Sequence, residues 1–175
     1  CHTVLTILEC DAGCACGSQR IEPLGKLYDQ APEKTQEVLV SLLGSSVQKV
    51  RRGAVSALLF FRHREVSLEP NTEALAEQLL HNPDERVRHS CAGLLLWVAG
   101  PAVARVFVAA LGDASDEVVR MACWSVRHQG GTAGTQALYR MLGHPSWRVR
   151  LEACQALVDQ KTTDARVVAT LEARL

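Results

Sequence analysis

Three cysteines lie close together near the start of the chain, in the segment Cys10-Asp11-Ala12-Gly13-Cys14-Ala15-Cys16, and Cys1 and His2 precede them. Zinc prefers thiolate and imidazole ligands, and a structural site needs about four of them, usually in two pairs separated by two to four residues. Here a C-x3-C pair and a C-x-C pair share Cys14, which matches no common zinc finger. We therefore predict free thiols in a loop and no metal site.

The remaining groups that could carry chemistry are spread along the chain. A metal site or a catalytic centre needs its groups to converge on one point. No G-x-S-x-G, Walker or dinucleotide fingerprint is present. We therefore predict no catalytic residue and no cofactor, so that the protein is not an enzyme. The histidines outside the first segment are expected at the surface or in turns: His63, His81, His89, His128 and His144.

Composition and charge exclude further classes. Lys+Arg and Asp+Glu number 19 each in 175 residues, so the formal net charge is +0, whereas nucleic-acid-binding chains are usually strongly basic. The apolar stretches are interrupted and fall short of the roughly 18–20 residues that span a membrane. The 7 cysteines form no regular framework, which favours a reducing compartment. With Cys1 as the first residue and no signal-peptide pattern, we expect a fragment of a longer intracellular, cytoplasmic protein.

The remaining residues of interest lie in a segment that is repeated along the chain. Four segments align without gaps and start at valines 37, 31 and 31 positions apart, namely Val50, Val87, Val118 and Val149. A leucine precedes each valine by seven positions, at Leu43, Leu80, Leu111 and Leu142. Two independent anchors at one spacing indicate an internal repeat.

Each repeat is predicted to contain two helices, A and B. Helix A is expected over Thr72–Leu80, Ala102–Leu111 and Thr135–Leu142, and helix B runs from near each valine to about Phe61, Val98, His128 or Val158. The turns between them contain the Gly, Pro, Asn, Asp and Ser residues that end and cap helices. Asp84, Ser115 and Ser146 lie three positions before a valine and are predicted N-caps.

Helix B is predicted to bury one face. Counted from the valine at about 100° per residue, positions +4, +7, +8 and +11 fall on the valine side. In the first and last repeats these positions hold small or aliphatic residues such as Ala54, Leu58, Ala153 and Leu157. Positions −1, +2, +6 and +9 point the other way. Cys123 and Cys154 share a buried position and are expected to be small apolar core residues.

A short turn followed by Val-Arg-x-x-Ala-x-x-Ala-Leu, on a period near 31, resembles HEAT repeats, in the short form also seen in phycobilisome-lyase-like proteins. The resemblance implies an all-α fold, an α-solenoid of antiparallel helix pairs. It divides the chain into residues 1–31, a partial leading repeat with a Cys-rich loop, and residues 32–175, the repeat array. Val119 departs from the pattern, because the other repeats have Arg51, Arg88 and Arg150 there. The array has units near residues 32–68, 70–100, 101–130 and 131–161 and a partial unit at 163–175.

The resemblance also brings enzymatic and nucleic-acid-binding relatives into consideration. Hydroxylases of the deoxyhypusine type bind iron through His-Glu pairs, which this sequence lacks. Helical-repeat DNA glycosylases use basic residues, Trp and a catalytic Asp, for which Asp116, Arg120, Trp124 and Arg127 are the matching types. Bilin lyases need a pigment pocket that we do not identify. A DNA-repair or nucleic-acid-binding protein therefore stays the first alternative, with a HEAT-like lyase or hydroxylase subunit behind it.

The outward face of the B helices is the predicted partner surface. In solenoids the B helices usually line the concave side, and here this face has a positive excess that favours an acidic peptide. Trp97 shares the position of Phe60 and is expected to pack, and the arginines beside the turns are expected to be structural. We predict a non-enzymatic scaffold for a protein or peptide partner, with no membrane and no nucleic acid involved. The candidate contacts are Arg52, His89, Arg120, Trp124, Arg127 and Trp147.

Overall fold

The computed structural model describes residues 17–61, 68–129, 131–160 and 165–173. The secondary structure in these ranges is helical, without a strand, as the sequence predicts. The α-helices are α1 Gly17–Gln30, α2 Pro32–Leu42, α3 Gln48–Phe61, α4 Thr72–His81, α5 Glu85–Leu95, α6 Pro101–Ala110, α7 Asp116–Gln129, α8 Gly131–Met141, α9 Trp147–Asp159 and α10 Ala165–Glu172. A 3-10 helix at Glu69–Asn71 precedes α4. The chain forms two compact units, Cys1–Leu94 and Leu95–Leu175.

The A and B helices lie where the repeat predicts them. Helices α4, α6 and α8 are A helices, and α3, α5, α7 and α9 are B helices. Helix α10 lies within the predicted partial unit at 163–175. Helix α1 has no counterpart in the sequence prediction, and Tyr28 at its end stacks on Phe61 of α3 with ring centroids 4.1 Å apart. The predicted Cys-rich loop and His63 lie outside the described residues.

The buried side of the B helices agrees with the helical wheel. The four starting valines, Val50, Val87, Val118 and Val149, are 0% exposed. The alanines that follow them are also fully buried, and they allow neighbouring helices to approach closely. Cys91, Cys123 and Cys154 are buried free thiols, which confirms the core role of the last two. Burial raises the pKa of Cys91 and of Cys123 to about 12 and also raises that of Cys154.

All four turns between the A and B helices use the same hydrogen bond. The residue five positions before the starting valine accepts, through its side chain, a hydrogen bond from the backbone N–H of the residue three positions before that valine. The acceptors are Ser45 Oγ at 3.2 Å, Asn82 Oδ1 at 2.9 Å, Asp113 Oδ1 at 2.7 Å and His144 Nδ1 at 3.2 Å. Each turn is therefore stabilised by one local acceptor before helix B begins.

The arginine after the valine closes three of these turns. Nη1 of Arg51, Arg88 and Arg150 donates to the carbonyl oxygen of Ser45, Asn82 and His144 at 2.6, 2.9 and 2.9 Å. This confirms their predicted structural role. Val119 takes this position in the third repeat and is 0% exposed, so the series of arginines is interrupted there, as the sequence indicates.

The predicted N-caps differ in outcome. Oδ1 of Asp84 accepts the backbone N–H of Arg86 at 3.0 Å, so Asp84 caps α5. Ser146 is the N-cap residue of α9, and its carbonyl accepts the N–H of Arg150 at 3.1 Å, but its side chain makes no capping bond and its backbone N–H donates to His144. The carbonyl of Ser115 accepts the N–H of Val119 at 3.0 Å, the first bond of α7.

Helix α5 ends at Leu95 and not near Val98, and this overturns the prediction for Trp97. Pro101 begins α6 and Gly100 has a φ of +143°, a conformation that favours glycine. The chain therefore leaves the helix early to reach this turn. Trp97 lies on the turn and is 70% exposed, and Phe60 at the equivalent position of α3 is 49% exposed. Neither ring packs into the core.

Candidate partner-binding surface

The six predicted contact residues fall into two groups. Arg52 on α3 and His89 on α5 belong to the first unit, whereas Arg120, Trp124 and Arg127 on α7 and Trp147 on α9 belong to the second. Helices α7 and α9 pack directly against each other. We call the second group, Arg120, Trp124, Arg127 and Trp147, the tryptophan surface.

Trp124 is an exposed aromatic ring in the middle of the tryptophan surface. It lies at position +6 of α7, opposite the buried valine, and 40% of it is exposed. The ring of His128 meets it edge-on with centroids 4.9 Å apart. The Cζ atom of Arg127 lies 5.9 Å from its ring centroid, within range of a cation–π contact. Trp124 is thus partly exposed and bordered by the polar side chains of Arg127 and His128.

Trp147 is the first residue of α9 and is 48% exposed. The turn before it, closed by Arg150, directs the chain into the helix at this residue. The Cζ atom of Arg148 lies 5.6 Å from the Trp147 ring centroid. Each of the two tryptophans therefore has an arginine beside it, a combination that is enriched in binding hot spots.

The arginines of the tryptophan surface are paired with carboxylates. Arg120 contacts Glu117 at 2.9 Å on its own helix and Glu152 of α9 at 3.9 Å. Arg127 contacts Asp159 of α9 at 2.7 Å. Glu117 lies on the outward face of α7. Glu152 and Asp159 belong to α9 and lie at positions that the helical wheel does not assign to its outward face. The pairing offsets much of the positive excess that the sequence predicts for this face.

Arg52 in the first unit serves as an anchor between repeats. Its Nε lies 2.9 Å from Oδ2 of Asp84, whose side chain is 2% exposed, and Gln48 Nε2 donates to the same oxygen at 3.2 Å. Burial by itself raises the pKa of Asp84, but the hydrogen bonds from Arg52, the Arg86 backbone and Gln48 outweigh it and hold the pKa below its ordinary value. His89 is exposed on α5.

An open depression of about 390 Å³ lies beside the tryptophan surface. Its lining comes from the ends of α7 and α9. Val158 is 52% exposed, so the depression offers apolar area a short distance from polar groups. It is lined by Arg127, Cys154, Gln155, Val158 and Asp159.

Metal binding has no candidate in the described part of the chain. No group of three or more His, Cys, Asp or Glu side chains there is arranged to hold an ion. The predicted Cys10, Cys14 and Cys16 cluster, with Cys1 and His2, lies outside those ranges. Among the described helices, none is long and apolar enough to cross a membrane.

Sequence reasoning missed Trp97 as a surface residue. It is the most exposed of the large apolar side chains in the described ranges, at 70%, and it belongs to the second unit together with Trp124 and Trp147. The signal was the Gly100-Pro101 pair close behind it, which ends a helix early. Three exposed tryptophans in one unit are unusual, because tryptophan is highly buried on average.

Repeated helix pairs joined by short, similar turns define a helical-repeat protein of the α-solenoid class. The sequence profile of HEAT repeats matches residues 36–127 and 104–175. The chain belongs to the HEAT-repeat family, which confirms the resemblance and the fold class read from the sequence. No curated protein matches the chain.

Solved structures share this fold. In all, 15 chains match. One is a crystal structure of an engineered protein from the Northeast Structural Genomics Consortium, with a TM-score of 0.57 and 19% identity, covering 97% of this chain and 93% of the engineered one. At this identity the similarity concerns the fold alone.

Proposed function

We propose that the protein is a non-enzymatic scaffold that binds a protein or peptide partner through the tryptophan surface. One observation carries the proposal: Trp124 and Trp147 are 40% and 48% exposed on two helices that pack against each other. Exposed apolar rings cost solvation free energy that a partner recovers by covering them. The HEAT-repeat fold supports this function, because stacked repeats present extended surfaces.

The apolar rings are expected to contribute more affinity than the charges. Arg120 and Arg127 have carboxylate partners within the chain, so the field they present to an incoming molecule is reduced. An acidic partner must compete with those carboxylates for the same guanidinium groups. We propose a partner that buries an apolar side chain against Trp124 and places acidic groups around it.

Substitution of the rings tests this function directly. The tagged full-length protein, Trp124→Ala/Trp147→Ala and Phe60→Ala are compared by quantitative affinity purification from the cell of origin. Phe60 is a matched control, because it is 49% exposed but lies in the first unit. We expect partners that bind the wild type and the control at the same level and lose about tenfold or more with the double variant, since hot-spot truncations cost about 2 kcal/mol or more.

Two results would overturn the proposal. One is a set of partners that the double variant retains in full while its helicity and melting are unchanged. The other is tight DNA binding with a steep salt dependence, which would support the nucleic-acid alternative. Trp124→Ala combined with Arg120→Glu extends the test, because it removes the ring and reverses the neighbouring charge on the same helix.

The cellular compartment is part of the same proposal. Cys91, Cys123 and Cys154 are free and buried, and structural free thiols are typical of reducing compartments. We propose an intracellular location on this ground.

A further inference from the structure

Arg148, the second residue of α9, makes no side-chain hydrogen bond to the residues that the structure describes. Its Nη1 comes within 3.8 Å of Oε1 of Glu117 on α7, which is too far for a hydrogen bond. The other oxygen of that carboxylate, Oε2, accepts a hydrogen bond from Nη1 of Arg120 at 2.9 Å. Glu117 is therefore held first by Arg120, and the N–H donors of Arg148 remain available to an acceptor from outside.

The other arginines of α7 and α9 are held more firmly. Arg127 lies 2.7 Å from a carboxylate oxygen of Asp159, and Arg150 donates to two carbonyls of the turn before α9 at 2.9 and 2.8 Å. The side chains of Arg120 and Arg127 are 35% and 23% exposed, whereas that of Arg148 is 57% exposed. Within the described part of the chain, an incoming acceptor reaches Arg148 without displacing a hydrogen bond.

Trp147 lies beside Arg148 and gives the guanidinium group a preferred place. The Cζ atom of Arg148 lies over the Trp147 ring, 5.6 Å from its centroid, within range of a cation–π contact. Such a contact uses the face of the ring and leaves the N–H donors of the guanidinium group for an acceptor. Because the ring is 48% exposed, an acceptor on Arg148 and an apolar group on Trp147 can be bound side by side.

The surrounding charges favour a single carboxylate over a polyanion. A guanidinium group has five N–H donors in a planar fork, and a carboxylate can accept two of them at once. Glu117 and Glu152 both lie close to Arg120, at 2.9 and 3.9 Å, so a continuous run of phosphates along this surface would meet their charges. The formal net charge of +0 provides no general attraction for a polyanion. The arrangement suits one acidic side chain with an apolar neighbour.

We propose that Arg148 and Trp147 form a recognition site for an acidic side chain of a protein partner, with an adjoining apolar side chain of the partner on the Trp147 ring. This inference deepens the proposed function and rests on it for the statement that the partner is a protein. Glu117 limits the affinity, because its carboxylate lies 3.8 Å from the same guanidinium group and repels an incoming acid. Removal of the Glu117 charge should therefore strengthen binding.

The chain offers a matched control for Arg148. Arg86 occupies the same position of its repeat, one residue before the starting valine, and it is exposed. Its side chain forms no ion pair with the described residues, it follows Glu85 and not a tryptophan, and it lies in the first unit. A general attraction of acidic peptides to exposed arginines would depend on both residues, whereas the proposed site depends on Arg148.

The first experiment measures the preference for a carboxylate next to Trp147. The double variant Trp97→Phe/Trp124→Phe leaves Trp147 as the one tryptophan in the chain. The peptide acetyl-Gly-Leu-Glu-Glu-Leu-Gly-amide and its counterpart with glutamine in place of glutamate are titrated into it and followed by tryptophan emission. We expect the glutamate peptide to bind at least about threefold more tightly at low ionic strength, and the difference to shrink as salt is added. Equal affinities at low salt overturn the proposal.

Substitutions then assign the preference to its residues. Arg148→Gln should remove it, and Arg86→Gln should retain it; equal loss in both, or no loss in Arg148→Gln, overturns the site. Glu117→Gln should raise the affinity for the glutamate peptide by about twofold or more, and this gain should vanish in Glu117→Gln/Arg148→Gln. A gain that persists in the double variant would identify the released Arg120 as the site instead. Circular dichroism confirms that each variant is folded.

A nucleic acid is tested in the same single-tryptophan protein. An oligothymidylate should bind no more tightly than the glutamate peptide, because the neighbouring carboxylates repel its phosphates. Tighter binding of the oligothymidylate that is lost in Arg148→Gln would make this a phosphate site and overturn the proposal.

The two proposals fail in different ways. If partner capture depends on Trp124 and Trp147 but the glutamate preference does not depend on Arg148, the recognition site is wrong and the scaffold function stands. If the glutamate preference depends on Arg148 and no captured partner depends on the tryptophans, the site stands and the proposed function is wrong.

Discussion

The two units hold neighbouring repeats together with different chemistry. In the first unit, Arg52 at position +2 of α3 reaches Asp84, a carboxylate whose side chain is 2% exposed and which also caps α5. In the second, Arg120 at position +2 of α7 reaches Glu152 at 3.9 Å, and Arg127 reaches Asp159, whose side chain is 51% exposed. The fully buried acceptor makes the first contact structural, whereas Glu152 and Asp159 are 17% and 51% exposed, which leaves the contacts of the second unit more accessible to competitors.

This difference shows why a position in the repeat does not determine a function. Arg52 and Arg120 are equivalent in sequence register and both face outward on the helical wheel. The acid that each one meets comes from the next repeat, and its burial decides how firmly the arginine is held. This contrast predicts that the two units respond unequally to substitution and to acid.

Replacement of Asp84 and of Asp159 by alanine should lower the free energy of unfolding by unequal amounts. Asp84→Ala deletes a cap and buried charge-assisted hydrogen bonds, so it should lower the free energy of unfolding by about 2–3 kcal/mol. Asp159→Ala removes an exposed partner of Arg127 and should cost about 0.2–1 kcal/mol. Urea unfolding followed by circular dichroism measures both. Equal losses would contradict the distinction between buried and exposed anchors.

Replacement of glycine by alanine should change the stability in opposite directions in the two units. A Cβ at Gly134 of α8 would lie 2.7 Å from Cγ1 of Val126, a buried β-branched side chain of α7, so Gly134→Ala should cost about 1–2 kcal/mol. A Cβ at Gly25 of α1 meets nothing within 4 Å, and Gly25→Ala should stabilise by about 0.5–1 kcal/mol. Thermal melting of the two variants tests the signs; a stabilised Gly134→Ala would refute the close approach of α7 and α8.

Acid should weaken the first unit through Asp84. Its pKa in the folded chain lies below the ordinary value of 3.8, so its ionised form contributes stability above that value. This contribution is lost as the pH falls through the lowered pKa. In unfolding measured between about pH 5 and about pH 2, the wild type should lose more stability than Asp84→Asn. Parallel curves for the two proteins would argue against an ionised, hydrogen-bonded Asp84.

The buried thiols should react alike in both units. A pKa of about 12 for Cys91 and Cys123 leaves about one thiolate in ten thousand at pH 8. Iodoacetamide should therefore label peptides containing Cys91 and Cys123 when the protein is unfolded and leave them largely unmodified in the native state. Mass spectrometry of those peptides provides the measurement, and rapid native labelling of one of them would identify the unit that opens locally.

The repeat register could be predicted from the sequence because it rests on many weak signals with one period. Val50, Val87, Val118 and Val149 are buried where the wheel places them, and the arginines after three of them close turns. Part of the compensation of Arg120 was visible in the sequence, because Glu117 lies three residues before it on the same helix. The pairing of Arg127 could not be predicted in the same way, since Asp159 reaches it from another helix and a wheel drawn for one helix has no information about its neighbour.

Helix boundaries were the other source of error. Trp97 and Phe60 occupy the same position in their repeats, and Trp97 was therefore expected to pack into the core. Both rings are exposed. Phe60 is exposed within an uninterrupted α3, so this repeat position faces outward, and the early end of α5 adds to the exposure of Trp97. Ser146 shows the same limitation at smaller scale, since a residue of the right type at the right position leaves the capping bond unmade.

The turn acceptors have a consequence for how such repeats diverge. Ser45, Asn82, Asp113 and His144 have little in common as residues, but each places one lone pair where the N–H two positions later needs it. Any residue that places an acceptor there can make this turn, so the turn requires an acceptor atom and not one particular amino acid. Neighbouring repeats are free to drift until their turns share no letter while they retain the same geometry. A comparison of letters would then judge them unrelated long before their structures differed.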